Sequence, residues 1–248
     1  MKSEEIRIYA LLYGPHEDLH RRLLDSIARN VPEDVGLDLW LNVVGDATKY
    51  MVSELGGGPR SVHVNTSDTN VPKYEAMREM FGRLKAGAHP EVKWLVWFDD
   101  DAHIEGEYGH WWIHTTGWIK EREPKNVCYT GQCWFIDWKA GQEQFIREAP
   151  WYKGLPAKMV GNKRKRPGIE FAQGSYWWLR RDVMQQLDWP DPRLKHNGGD
   201  TMLGEAVRQQ GLPFHKLPWD CFGVKTNDAP RRGHHEAPAG CIDKNARA

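Results

Sequence analysis

Net charge is what this chain has least of: its 34 Lys and Arg are matched by 34 Asp and Glu over 248 residues. A neutral molecule has no global field to hold it on nucleic acid or on a membrane, so any such attraction must come from a local patch. Cysteine is also scarce. Cys128, Cys133, Cys221 and Cys241 are widely spaced and form no CxxC pair, which excludes a disulfide scaffold and a zinc framework and suggests the reduced thiols of a cytoplasmic protein. No apolar run approaches membrane-spanning length. The start, MKSEEIRIYALLYG, lacks the apolar core and cleavage site of a signal peptide and leads straight into a strand. A soluble cytoplasmic protein with no membrane partner is the expectation. A GxGxxG turn is missing too, which argues against a dehydrogenase.

Tryptophan is in excess, with thirteen in the chain, enough to serve a core and still leave stacking platforms for a sugar ring or a nucleobase. Two of them open the most informative stretch, Trp94 to Ile104, which reads WLVWFDDDAHI. Five consecutive apolar or aromatic residues run into three aspartates. A short apolar run bounded by polar residues predicts a strand covered on both faces, as in a mostly parallel sheet. Ligands of such sheets sit beyond the carboxyl ends of the strands, where Asp99, Asp100 and Asp101 fall. Like charges at one point repel unless a cation lies among them. Oxygen ligands on a tight turn suit a hard divalent ion, Mn2+ or Mg2+, shared with a phosphate. Without the ion, the same residues are a solvated acidic turn.

The preceding residues predict the order β-α-β-α-β-α-β. Ile6 to Tyr13 is a first strand, and a helix over 17–30 follows with Leu19, Leu23 and Ile27 on one face. Leu37, Leu39, Leu41 and Val43 alternate with Asp38, Trp40 and Asn42, the period-two pattern of a strand. That strand ends at Asp46, which either accepts hydrogen bonds from a ribose or base or caps the helix from Thr48. A short strand over 61–65 precedes a helix over 73–85 that buries Tyr74, Met77, Phe81 and Leu84, with Lys73 and Arg78 able to face a diphosphate. Such an order belongs to a Rossmann-like sheet.

Two further stretches carry a resemblance. Gly168 to Leu187 reads GIEFAQGSYWWLRRDVMQQL, and His196 onward reads HNGGDTMLGEAVRQQG. Together with the aspartates they resemble a nucleotide-sugar glycosyltransferase of the GT-A fold, close to the large family-2 group. The resemblance implies an α/β, GT-A, Rossmann-like sheet, mostly parallel and flanked by helices in a single domain. Residues 1–105 would form its nucleotide-sugar-binding half, 106–224 its acceptor-binding half, and 225–248 a flexible tail closing over the donor. Asp99 and Asp101 match the family's D-x-D motif, and Asp101-Ala102-His103 matches the D-x-H variant of related enzymes, so either pair would hold the ion. Asp46 sits where the family has an acidic nucleotide contact, and Tyr13, Lys73, Arg78 and Asp100 fall on the same donor side. Asn70 and Ala76 are what this chain keeps of an Asn-x-Gly…Ala-Arg-Asn pattern. Gly174, Ser175, Trp177 and Trp178 match the segment that shapes the sugar and acceptor pocket. In the family a Glu-Asp motif opens a helix; here Gly199 replaces the Glu and leaves Asp200 as the carboxylate that would take the acceptor's proton. Read by itself, Asp200 is equally a helix N-cap. In the tail, RRGHHEAP offers His234 or His235 as a further metal ligand and Arg231 or Arg232 against the leaving diphosphate.

From Lys153 to Arg166 there are six basic residues and no acidic one. On a neutral chain this patch, with Lys163, Arg164, Lys165 and Arg166 at its centre, suggests a polyanionic acceptor. The specific expectation is inverting transfer from a nucleotide sugar, a UDP-sugar first, to a hydroxymethylated pyrimidine in DNA drawn out against Trp177 or Trp178. Open beside it stand a glycan or small-molecule acceptor, a nucleotidyltransferase, and a nucleic-acid-binding module without catalysis.

Overall fold

The structure is a computed structural model and describes residues 1–106, 110–122, 128–130, 133–137, 140–161, 164–172, 174–196, 198–217 and 223–226. In chain order the described elements are β1 (Ile6–Tyr13), α1 (Glu17–Asn30), β2 (Gly36–Asn42), α2 (Asp46–Gly56), β3 (Val62–Ser67), α3 (Lys73–Lys85), β4 (Trp94–Asp99), β5 (His103–Ile104) and α4 (His110–Lys120). The second half adds β6 (Cys128–Thr130), β7 (Cys133–Asp137), α5 (Ala140–Arg147), β8 (Lys158–Val160), β9 (Arg166–Ala172), β10 (Tyr176–Arg180), α6 (Arg181–Gln186), α7 (Gly199–Gln209), β11 (Phe214–Lys216) and β12 (Val224–Lys225).

Seven strands form one sheet in the order β11-β6-β10-β4-β1-β2-β3. β1, β2, β3 and β4 are mutually parallel, β10 runs against both of its neighbours, and β11 is parallel to β6. Among these described strands β10 is thus the reversed one. It enters where β4 leaves, which brings the turn at Gly174 and Ser175 to the carboxyl end of β4. Asp99 N–H donates to the Ser175 carbonyl at 2.9 Å, and the two segments are joined there.

The apolar run of β4 is explained by its two covered faces. Trp94, Val96 and Phe98 join Ile8, Leu23, Ile27 and Trp111 on the α1 side. Leu95 and Trp97 join Met77, Phe81, Leu203 and Val207 under α3 and α7. Buried on both faces, a strand reads as a continuous apolar run. Both faces of β2 are buried as well, so its period-two alternation does not mark a solvated side: Asp38 is 2 % exposed and Asn42 1 %. β2 ends one residue before the predicted Val43, which takes φ 58° and leaves the strand. α2 opens at Asp46 with Gly45 as its N-cap, and β3 runs on to Ser67 because its register with β2 continues to Asn42. A smaller sheet, β7-β9-β8, lies outside the main one, and α7 packs on β9. Among the described residues no helix is long and apolar enough to cross a membrane.

Candidate active site

The three adjacent aspartates take three different environments. Asp99 is the last residue of β4. Its Oδ1 accepts Trp97 Nε1–H at 2.8 Å and its Oδ2 accepts the Lys73 ammonium at 2.6 Å. Asp100 turns inward, 6 % exposed, where Oδ2 accepts the Tyr13 backbone N–H at 3.0 Å and lies 3.5 Å from His20 Nε2. His20, fully buried, is held from its other nitrogen by Thr48 Oγ1 at 2.8 Å. Asp100 therefore locks the end of β1 to the end of β4, and the expected donor contact is corrected to this inward, tying role. Asp101 is partly exposed on the turn.

Lys73 opens α3 and is placed by the loop before it. Asn42, buried at the end of β2, donates from Nδ2 to the Val71 carbonyl at 2.7 Å and to Asn70 Oδ1 at 3.2 Å, and accepts the Val71 N–H at 3.0 Å. Asn70 in turn donates to the Tyr13 hydroxyl at 3.4 Å. With that loop pinned, the Lys73 ammonium reaches Asp99 and the Gly174 carbonyl, the latter at 3.3 Å, beside the rings of Tyr74 and Trp97. Burial works against its charge, but Asp99, Tyr74 and Asp200 together outweigh it and hold the ammonium above the ordinary lysine range. Two of its three N–H groups are used among the described residues.

Asp200 stands on the other side of the Gly174 turn. A Cβ added to Gly174 would lie 3.2 Å from both Cβ and Oδ2 of Asp200, so this glycine permits the close approach. Asp200 is not an N-cap: Gly198 is, at φ 87°, and Asp200 follows in the first turn of α7 with Oδ1 accepting the Thr201 N–H at 3.0 Å. Burial raises its carboxyl above the ordinary aspartate range, partly offset by the Lys73 charge. A carboxylate placed so is a proton acceptor of more than ordinary basicity.

Several predicted residues lie elsewhere. Trp177 and Trp178 are buried, 2 % and 0 % exposed, so neither is a stacking platform. Trp177 stacks on Trp97 with ring centroids 6.0 Å apart, and Trp178 Nε1–H donates to the Tyr176 hydroxyl at 2.6 Å on the opposite face. Both faces of β10 are covered, which consumes the whole pair. Arg78 does not face a diphosphate: it donates to the carbonyls of Asp188 and Pro190 and pairs with the Asp188 carboxylate at 2.8 Å. His103 lines a cavity of about 440 Å³ on the α1 side with Arg22, Ser26 and Arg29. Asp46 is fully exposed and lies 3.6 Å from Lys49. Ser175 is buried and contributes its carbonyl to Asp99. Arg164, Lys165 and Arg166 are exposed where β8 turns into β9, next to exposed Lys158 and Met159. Lys163, Arg231, Arg232, His234 and His235 lie outside the described residues.

Among the described residues no three His, Cys, Asp or Glu side chains converge on a point that could hold a metal ion. Asp99 is engaged by an ammonium and an indole, and Asp100 by a backbone N–H. By themselves the described residues do not fit a divalent cation.

No family model matches the chain, and no curated protein does. Solved structures do. A mannosyltransferase, PcManGT from Pyrobaculum calidifontis in complex with GDP-Man and Mn2+, superposes with TM-score 0.56 at 12 % identity over 87 % of this chain and 55 % of its own. GalNAc-T7 with UDP, GalNAc and Mn2+ gives 0.59 at 12 % over 87 % and 42 %, and TarS from S. aureus gives 0.52 at 14 % over 82 % and 33 %. The chain spans about half the length of these proteins or less. The fold is that of the GT-A glycosyltransferases.

Proposed function

We propose that the chain is a glycosyltransferase that moves a sugar from a nucleotide-sugar donor, a UDP-sugar first, to an acceptor hydroxyl with inversion at the anomeric carbon. The observation that carries the reading is Asp200, a half-buried carboxylate of raised basicity held against the Gly174 turn at the carboxyl end of the sheet. Asp200 accepts the proton of the acceptor hydroxyl as its oxygen bonds to the anomeric carbon. The bond from that carbon to the donor's phosphate oxygen breaks, and its electron pair leaves with the nucleoside diphosphate. Lys73, on the same turn, offers the cation that steadies this departing charge. Asn70, in the loop between β3 and α3, and the Tyr13 hydroxyl at the end of β1 form the rim where a nucleoside would lie.

The acceptor is proposed to be DNA, with a hydroxymethylated pyrimidine supplying the hydroxyl. The exposed cations Lys158, Arg164, Lys165 and Arg166 on the β8–β9 hairpin support a phosphate-bearing partner. With Trp177 and Trp178 buried, an extruded base must be held by other groups. Asp200→Asn tests the chemistry: transfer to hydroxymethylated DNA should vanish while nucleoside diphosphate binding persists. Undiminished transfer would end the base assignment. Salt-sensitive DNA binding with no transfer from any nucleotide sugar would leave a binding module instead.

A further inference from the structure

The sequence predicts Tyr74 as a core residue of α3, and it is buried, 5 % exposed. Its surroundings give it more to do. Its backbone N–H donates to the Lys195 carbonyl at 2.9 Å, which ties the start of α3 to the loop before α7. Its ring lies flat against Gly199: a Cβ built there would stand 2.1 Å from Tyr74 Cζ and 2.4 Å from the hydroxyl oxygen. No residue but glycine fits, which explains physically why a glycine precedes Asp200. Trp189 supports the ring edge-on at 6.4 Å. Burial holds the phenol protonated well above neutral pH, although the neighbouring Lys73 charge favours the ionised form. The hydroxyl is therefore a neutral hydrogen-bonding group and no rival to Asp200 as a base.

Asp200 is consequently bounded on two sides by glycine contacts, one that leaves no room for a Cβ and one that a Cβ would crowd. Gly199 gives way to the Tyr74 ring, and Gly174 gives way to the Asp200 carboxylate itself. We infer that Tyr74 is a positioning residue for the reaction: its ring and hydroxyl, packed on Gly199, set the first turn of α7, so that the Asp200 carboxylate stands over the Gly174 turn. A carboxylate on the first turn of a helix can swing with that turn. Clamping the backbone next to it removes this freedom, and misplacement of a catalytic group by about an ångström costs on the order of a hundredfold in rate. Lys73, the residue before Tyr74, meets the same turn from the other side through the Gly174 carbonyl. Placement of the acid–base group and of the cation is thereby coupled through two adjacent residues of one helix.

The inference rests on Asp200 being the base, and the experiment separates the two. The full chain and its Tyr74→Phe and Asp200→Asn variants are assayed for hydrolysis of UDP-glucose, UDP-N-acetylglucosamine and GDP-mannose and for transfer to hydroxymethylcytosine duplex DNA. Tyr74→Phe keeps the ring and loses the hydroxyl. It should lower kcat by about tenfold while leaving the donor KM within about twofold and the melting temperature within a few degrees. A purely structural tyrosine would lower the melting temperature and leave kcat of the folded protein unchanged; that result overturns the inference, and if Asp200→Asn is inactive the base assignment survives it. Full activity in Asp200→Asn removes the base assignment and the inference with it, as does an unmutated chain that turns over none of these donors. Gly199→Ala should melt lower than the parent and lose kcat in the folded fraction, because the added Cβ displaces the Tyr74 ring; an unchanged kcat would also overturn the positioning role.

Discussion

Helix α3 carries a cation toward each end, and each meets a strand aspartate. Near its carboxyl end Arg83 donates to Asp38 Oδ1 at 3.2 Å, while Arg7 donates to Asp38 Oδ2 and, at 3.1 Å, to the Leu37 carbonyl. The Arg7 and Asp38 side chains are 4 % and 3 % exposed, and a Cβ on Gly36 would collide with the Arg7 guanidinium. This end is closed and saturated. At its amino end Lys73 meets Asp99 with 11 % and 21 % exposure. A second carboxylate, Asp200, sits across the same turn with its proton affinity raised by burial. The chemistry of the pairs is nearly the same, and their surroundings differ. A buried ion pair with both carboxylate oxygens engaged holds the strands in place. A pair left partly open, at the carboxyl end of a parallel sheet, beside a carboxylate under desolvation, is set up for a ligand.

Substitutions at the two ends should therefore move different observables. The largest effect belongs to the open end: Asp200→Asn should reduce transfer by about a hundredfold to ten-thousandfold, the range for losing a general base, with a melting temperature no lower than the parent's at neutral pH. At the closed end Asp38→Ala should cost about 3–5 kcal/mol of stability, because it strands a buried guanidinium. Denaturant unfolding measures this, and specific activity of the folded fraction should hold. Trp177→Ala belongs with the closed end, expected to cost about 3–5 kcal/mol as a cavity in the core; a selective loss of acceptor affinity would instead return it to the site. Lys73→Met should lower kcat on the order of a hundredfold with a smaller stability change than Asp38→Ala. Neutralising Arg164 and Lys165 together should change neither folding nor donor turnover. It should reduce the salt slope of DNA binding by about two, one for each phosphate left without its cation.

Acidity sharpens the same contrast. The raised Asp200 value means that the folded protein holds a proton there over a pH range in which the unfolded chain has released it. Folded stability from this group is thus present at low pH and is lost as pH rises from the ordinary carboxyl value through the raised one. Transfer should do the opposite and rise through that window, since only the ionised carboxylate accepts a proton. Asp200→Asn should abolish both trends.

The order of elements through β4 was legible because it rests on local signals. The bounds of α1 and α3 follow from apolar periodicity, and the β4 run announces a strand covered on both faces. What escaped was decided by partners distant in sequence. Trp177 and Trp178 look like stacking platforms until β10 is seen with α3 on one face and Trp111 on the other. Asp38 looks like the solvated half of an alternating strand until Arg7 and Arg83 close on it. Arg78 looks available until Asp188, more than a hundred residues on, engages it. The contacts of Asn42 with the loop before α3 and of Tyr74 with Gly199 escaped for the same reason, although Asn at the end of a strand and a doubled glycine before an aspartate were the traces each left in the sequence.

The contrast between the two ends of α3 is tested most directly by calorimetric titration of UDP and GDP, with and without manganese, into the full chain and its Lys73→Met and Arg83→Met variants. One nucleoside diphosphate should bind the parent, bind Lys73→Met about tenfold more weakly, and bind Arg83→Met as it binds the parent. Equal affinity for the parent and Lys73→Met, or the larger loss at Arg83, would contradict the assignment of the amino end of α3 as the end that meets the donor.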